Sequence, residues 1–387
     1  MITNNFYYVC KGKNEDWFEN INGRFKEKVK LVYMDPPYNT KRSRGARKSY
    51  SDNNSDWKKS IYEVIDKSFN YLREDGFLAI SINQTELFSL KNEIDRVFNK
   101  KGCFVGLFPI KIRHSDRQLM IGASFHDIYE YLLIYRKNPK SQFNTTFKKP
   151  DLNDYYHEIR ILDNSPKIME IKGKKAEVYS NKQYEIISDK SKTSKEFFRK
   201  YSISGKIATA NWSGEFYENN LKHFDNNCLI KIHGLENHGK GYRWFETPNE
   251  KRKRGIYFQS FEGAGRKKQV SNGDFDYTDE VTLMFKEGGE GIDFKDSKKP
   301  EKLINKLIEI TTSEEDIVFD LFGGSGTTIA SCVKKNRNCL TIEMENVKII
   351  QKRLENLKKG EDIDKKIYDF DYKLFSDLKE WKNEQKI

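Results

Sequence analysis

Apolar runs that stop at a carboxylate recur along this chain. Leu31-Val32-Tyr33-Met34 ends at Asp35 and is followed by Pro36-Pro37-Tyr38; Ile317-Val318-Phe319 ends at Asp320; Cys339-Leu340-Thr341-Ile342 ends at Glu343. A short run without polar alternation predicts a strand buried on both faces, as in a parallel sheet. After Met34 the two prolines, which fix φ and lack a donor, prevent the ladder from continuing. Asp320 leads instead into Leu321-Phe322-Gly323-Gly324-Ser325-Gly326-Thr327-Thr328, a glycine-rich turn from which Ile329 to Val333 continues as a helix. The acids therefore fall at strand C-terminal ends, the edge at which open α/β sheets bind ligands.

Elsewhere the period changes. Residues 6–9 read as a short strand and 17–25 as a helix. Trp57, Ile61, Val64, Ile65, Phe69 and Leu72 recur at helical spacing and predict a helix over 56–73 that covers one sheet face. Gly76 to Ile82 is again a continuous apolar strand, and the strand-helix-strand order implies a right-handed crossover. A helix over 85–99 and strands over 103–110 and 128–135 follow. Leu303, Ile304, Leu307 and Ile308 give an apolar face to a helix that begins at Lys299-Pro300, and 346–359 is the helix after the last acidic strand. The fold class is α/β, a sheet with helices on both faces. The charged, aromatic-containing stretch 362–387 receives no element.

From residue 139 onward the texture is different. Asn, Lys, Ser and Tyr dominate, periodicity weakens, and Lys-rich blocks occur at 172–175 and 190–200, with a helical piece expected over 192–201. Gly288-Gly289-Glu290-Gly291 marks a joint. The expected organisation is a catalytic domain in two parts, 1–138 and 291–360, an inserted module at 139–290, and an extension at 361–387. Within the module, Tyr242, Trp244, Phe245, Tyr257, Phe258 and Phe261 interleave with basic residues. Such rings stack on bases or build a small core; they are placed mainly in the core, and Lys251, Arg252, Lys253 and Arg254 on a loop facing nucleic acid. A second basic stretch, with Lys41, Arg42, Arg44, Arg47 and Lys48, directly follows Tyr38 and is placed to clamp phosphates.

Composition agrees with such a partner. The 387 residues carry 70 Lys and Arg against 58 Asp and Glu, a net charge of +12, which suits a polyanion. Cys10, Cys103, Cys228, Cys332 and Cys339 show no Cys-x-x-Cys spacing, so neither a zinc site nor a disulfide framework is indicated, and reduced cytoplasmic thiols are the simple reading. His126, His233 and His238 read as loop or surface residues without metal partners. No apolar run is long enough to span a bilayer, so a soluble cytoplasmic protein is expected. The glycine-rich turn lacks the Gly-Lys-Ser/Thr of a Walker loop, which disfavours an ATPase. Its glycines admit a ligand close to the backbone, and Glu343 stands at the offset where a carboxylate meets ribose hydroxyls. At the other motif the Asp35 carboxylate and the Pro36 carbonyl accept hydrogen bonds while Tyr38 offers a flat face. Together they can hold a planar exocyclic amine.

The Asp35-Pro36-Pro37-Tyr38 motif, followed far downstream by Asp320-x-Phe322-Gly323-Gly324-Ser325-Gly326-Thr327-Thr328, resembles the β class of S-adenosylmethionine-dependent DNA amino-methyltransferases. In that class the catalytic motif precedes the cofactor motif and a target-recognition domain lies between them. Residues 9–138 are similar, more narrowly, to the modification (Mod) subunits of type III restriction systems, through 30–40, 72–82 and 129–138. The resemblance implies a Rossmann-like methyltransferase sheet with an inserted target-recognition domain, S-adenosyl-L-methionine as cofactor, and the N6 amine of a flipped adenine in double-stranded DNA as acceptor. It makes Asp35, Pro36, Pro37 and Tyr38 catalytic. It places the cofactor against Asp35, Pro36, Lys299, Pro300, Asp320, Phe322, Gly323, Gly324, Ser325, Gly326, Thr327 and Glu343, with Phe294 at a further matching position. A second copy of the chain, or a restriction or second modification subunit, enters as partner on the same ground, and a membrane does not. N4-cytosine methylation and a catalytically silent DNA-recognition subunit stay open as alternatives; Asp35 favours adenine, since the cytosine subgroup more often has Ser there. The motif order counts against RNA or protein glutamine methylation. The chain departs from the family pattern at Lys13-Asn14 and Asn83-Gln84, where acids are usual, and has Tyr129-Glu130-Tyr131 where relatives often have His-Glu-Tyr.

Overall fold

The computed structural model of the chain describes residues 5–38, 54–111, 127–148, 150–209, 211–235, 239–264, 266–284, 286–292 and 298–384. The chain divides into two compact units, residues 1–144 with 270–387, and residues 145–269. Residues 139–144 and 270–290, expected in the inserted module, thus belong to the first unit.

The first unit is built on an eight-stranded sheet. In chain order its elements are β1 (Tyr7–Lys11), α1 (Asn14–Phe25), β2 (Val29–Met34), α2 (Asn54–Tyr71), β3 (Leu72–Ile82), α3 (Leu87–Val97), β4 (Phe104–Lys111), β5 (Tyr129–Arg136), α4 (Glu301–Thr311), β6 (Ile317–Asp320), α5 (Thr327–Lys334), β7 (Asn338–Glu343), α6 (Val347–Lys359), β8 (Lys373–Phe375) and α7 (Leu378–Glu384). The strand order is β8-β1-β7-β6-β2-β3-β5-β4. Pairing is parallel from β8 through β3, and β5 runs antiparallel to both β3 and β4. All six residues of β2 are buried, because helices cover both faces. Val32 and Met34 point to one core with Trp17, Ile21, Ile61 and Leu90 of α1, α2 and α3; Leu31 and Tyr33 point to another with Leu307, Ile329 and Leu354 of α4, α5 and α6.

The stretch 362–387 supplies the edge strand β8, which pairs parallel with β1, and α7, whose buried Trp381 donates its indole N–H to the Asn20 carbonyl at 3.0 Å. A three-residue strand and a seven-residue helix are too short to show a sequence period, which is why no element was legible there.

The second unit carries an antiparallel eight-stranded sheet in the order Tyr184–Ser188, His157–Ile161, Phe198–Ser202, Ile256–Ser260, Gly241–Glu246, Leu229–Leu235, Lys174–Tyr179, Lys167–Ile171. The helix expected over 192–201 is absent. Residues Phe198–Ser202 are a strand instead, with Tyr201 opposite Tyr257 and the two rings stacked at 5.0 Å. Cross-strand partners on both faces, invisible in a Lys-rich run, decide the conformation there. Trp244, Phe245, Tyr257 and Phe258 are buried and build the two cores of this unit.

Candidate active site

Strands β2 and β6 lie side by side and parallel, with Val32 beside Phe319 and Tyr33 beside Asp320. The Leu321 N–H donates to the Tyr33 carbonyl at 3.2 Å, extending the ladder to the strand ends. Asp35-Pro36-Pro37-Tyr38 and the glycine-rich loop therefore leave the sheet at one edge. From β2 the chain proceeds to β3 on one side, whereas β6 fills the other, so this edge is a switch point of the strand order.

Asp35 meets a lysine from the far end of the chain. Lys299 Nζ donates to Asp35 Oδ1 and Oδ2, each at 2.7 Å, and to the Tyr38 hydroxyl at 3.0 Å, and stands 5.1 Å from the centre of the Tyr38 ring. Glu130 of β5 completes the cluster: its Oε2 accepts from the Tyr38 hydroxyl at 3.0 Å and lies 3.3 Å from Lys299 Nζ. The Lys299, Glu130 and Asp35 side chains are only 9%, 14% and 18% exposed, so this is a desolvated group of two carboxylates and one ammonium. Burial raises the Asp35 carboxyl above its ordinary range; Lys299 opposes that shift and Glu130 adds to it. Burial works to lower the Lys299 ammonium, but the two carboxylates outweigh it and hold it above the usual lysine range. The Trp57 indole of α2 donates to the Pro37 carbonyl at 2.7 Å and pins the Pro-Pro turn. No donor among the described residues engages the Pro36 carbonyl.

The glycine-rich loop is shaped by close approach. A Cβ on Gly323 would stand 2.5 Å from Thr341 Oγ1, and Gly324 and Gly326 have φ of +51° and +76°, which only glycine adopts freely. Glu343 gathers the loop: its Oε2 accepts from the Gly324 N–H at 2.6 Å, and its Oε1 accepts from the Glu345 and Asn346 N–H groups at 2.9 and 3.0 Å. Asp320, 2% exposed, accepts from the Phe322 N–H at 3.2 Å; burial lifts its carboxyl to about 7, against hydrogen bonds from Thr328 and Phe322 that pull it down. Ser325 and Thr327 are buried and bonded to each other at 3.0 Å. Fully buried Arg353 of α6 donates to Thr327 Oγ1 at 2.9 Å and pairs with Glu301 at 3.2 Å, so these two side chains hold the loop from beneath. Asn14, also buried, donates to the Leu321 carbonyl at 2.7 Å, which ties the start of α1 to the same loop. Pro300 stands at the N-cap of α4, where the carboxylate of Glu287 receives the Glu301 N–H.

The structure thus brings Asp35, Pro36, Tyr38 and Lys299 to one edge with Asp320, Gly323, Gly324 and Glu343. Glu130 and Asn14 were not among the expected site residues. An acid just inside an otherwise apolar strand, as in Tyr129-Glu130-Tyr131, was the signal for Glu130; its partner could not be read because Lys299 and Glu130 are far apart in sequence. Of the basic run 251–254, Lys251, Lys253 and Arg254 are exposed. Arg252 is committed within the fold, to the Glu246 carboxylate at 2.8 Å and the Thr247 carbonyl at 2.9 Å. His233 pairs with Glu177 at 3.0 Å. Lys41, Arg42, Arg44, Arg47, Lys48, His126, His238 and Phe294 lie outside the described residues.

The chain is 26% identical to a probable type III restriction-modification enzyme HindVI Mod subunit of Haemophilus influenzae, over 91% of this chain and 50% of that protein. It is 24% identical to the type III restriction-modification enzyme EcoPI Mod subunit of Escherichia phage P1, over 88% of this chain and 57% of that one. The chain therefore spans about half the length of these relatives. Among solved structures, the M1.HpyAVI–SAM complex matches 90% of this chain and 99% of its own at 14% identity, with a TM-score of 0.41. Residues 29–352, from β2 and the Asp35 motif through the glycine-rich loop and into α6, match the DNA methylase family model, and the chain belongs to that family.

Proposed function

We propose that the chain transfers a methyl group from S-adenosyl-L-methionine to the N6 amine of an adenine flipped out of double-stranded DNA, as the modification component of a restriction-modification system. The observation that carries this reading is the emergence of Asp35-Pro36 and the glycine-rich loop from neighbouring parallel strands at one edge. The residues fit the cofactor: Gly323 has no Cβ and so lets the loop lie close against Thr341 and Glu343, Thr341 Oγ1 is buried there without a partner, and Glu343 supplies a carboxylate for ribose hydroxyls. When bound, the cofactor supplies a methyl group on a positively charged sulfur. Gly323, Gly324 and Glu343 would hold its nucleoside part.

The chain's own work is done on the amine. Its lone pair is delocalised into the ring, which makes it a poor nucleophile. Hydrogen bonds from the amino hydrogens to the Asp35 carboxylate and the Pro36 carbonyl localise that pair and aim it. Asp35 then takes the proton that leaves the alkylated nitrogen. Tyr38 stacks on the base and offsets part of the cost of flipping, about a few kcal/mol. Positioning of this kind is worth up to roughly 7–11 kcal/mol. Asp35 rather than Ser is the reason to choose adenine over cytosine, and the similarity to Mod subunits supports association with a restriction subunit. Mass analysis of nucleosides from the DNA of cells expressing the chain is expected to show N6-methyladenine. N4-methylcytosine would correct the acceptor, and no methylated base at all would favour a silent recognition subunit.

A further inference from the structure

The cluster around Asp35 poses a problem for the reading above. To polarise the target amine, the Asp35 carboxylate must turn its charge and a lone pair toward it, yet Lys299 Nζ sits 2.7 Å from both oxygens, occupies a lone pair on each and neutralises that charge. A second anionic partner is already beside that ammonium, since Glu130 Oε2 is 3.3 Å away. The Tyr38 hydroxyl has one proton, and the shorter of its two contacts, 3.0 Å against 3.3 Å, gives that proton to Glu130 rather than to Asp35. Glu130 is thereby fixed in place, and the Tyr38 oxygen accepts from Lys299. A displacement of the ammonium by a fraction of its side chain's reach would exchange one carboxylate for the other. With so little water present, an ammonium left without any carboxylate would be costly, so release from Asp35 requires a waiting acceptor.

We propose that Glu130 is a positioning residue, which receives the Lys299 ammonium when Asp35 turns to the target amine; this rests on the methyltransferase reading. Lys299 then acts as a latch: it neutralises Asp35 while no base is bound and moves toward Glu130 as the base enters. Both partners lie within the first unit, on β5 and at the start of α4, so the exchange needs no rearrangement of the sheet.

Two measurements test this. In the ligand-free protein, thermal double-mutant cycles with Asp35→Asn, Glu130→Gln and Lys299→Met are expected to show stronger coupling of Lys299 to Asp35 than to Glu130. Equal or reversed coupling overturns the resting latch. In turnover at saturating methyl donor and DNA, Glu130→Gln is expected to lower kcat by about tenfold or more while the KM for the donor changes by less than about twofold, because the competent state is depopulated. Adding Lys299→Met to Glu130→Gln should raise kcat again at alkaline pH, where the buried Asp35 is ionised without its cation and nothing competes for it. A Glu130→Gln protein with wild-type kcat, or a double variant no faster than Glu130→Gln, overturns the exchange. A wild-type chain that methylates no DNA sinks the functional reading and this inference with it, whereas an active wild type lets the inference fail alone.

Discussion

Lys299 changes what a substitution at Asp35 is expected to do. Asp35→Ala removes one carboxylate, but the ammonium keeps Glu130, so no buried charge is left alone and the unit should stay folded. Methyl transfer is expected to be abolished while cofactor binding, read by titration calorimetry, is largely retained; equal loss of both would reassign Asp35 to cofactor binding. Asp320 has a different signature. Its carboxyl is lifted by burial to about 7, whereas in the unfolded chain it titrates near about 4. Between those values the folded state holds a proton that the unfolded state has lost, so the residue's contribution to stability falls as pH rises through that window and is level above it. Asp320→Asn cannot titrate. Melting temperatures of the ligand-free wild type and variant should therefore diverge in the variant's favour from about pH 4 to about 7; a constant difference would show that Asp320 is ionised throughout.

At the scale of elements, Glu343 joins a strand end, a glycine loop and a helix start. Its carboxylate receives N–H groups from Gly324, Glu345 and Asn346. Glu343→Ala is expected to weaken cofactor affinity by about 1–3 kcal/mol, the scale of charge-assisted hydrogen bonds. Unchanged affinity in a titration would place the ribose carboxylate elsewhere. The strands that end in Asp35, Asp320 and Glu343 were legible because a strand covered on both faces has no polar positions to interrupt it. The helices between them were legible through Ile61, Val64, Leu303 and Leu307, whose spacing reports one buried face each. What joins the strands was not. The contact of Lys299 with Asp35, the support of the loop by Arg353 and the pairing of β8 with β1 all connect distant segments, and no local period encodes such a partner. Nor does charge reveal its own use: Arg252 and Lys251 are neighbours in one basic run, yet one is paired with Glu246 and the other is exposed.

For the whole molecule, the division into two units sets the proposed methyl-transfer site apart from the proposed recognition module. Asp35, Glu130, Lys299 and the glycine-rich loop all belong to the unit of residues 1–144 and 270–387, and both ends of residues 145–269 join that unit. The smaller unit has its own sheet and cores, so its exposed residues can change without disturbing the cluster around Asp35. Two changes then have distinct expected outcomes. Neutralising Lys251, Lys253 and Arg254, while leaving Arg252 in its ion pair, should lower affinity on every DNA sequence and flatten its salt dependence, because phosphate contacts release counterions and carry no sequence information. Including Arg252 should add a stability cost visible in melting, since Glu246 would be left buried without its cation. Replacing residues 145–269 by the corresponding segment of a relative should instead move the methylated sequence while the modified atom stays the adenine N6. Sequencing that detects modified adenines reads both results. An active chimera that keeps the original target would assign recognition to the loops of the first unit or to a partner subunit. Uniform loss of affinity on the neutralised protein, with the target unchanged, would still leave Lys251, Lys253 and Arg254 as backbone contacts, so the roles of the two sets of residues are separable with one pair of variants.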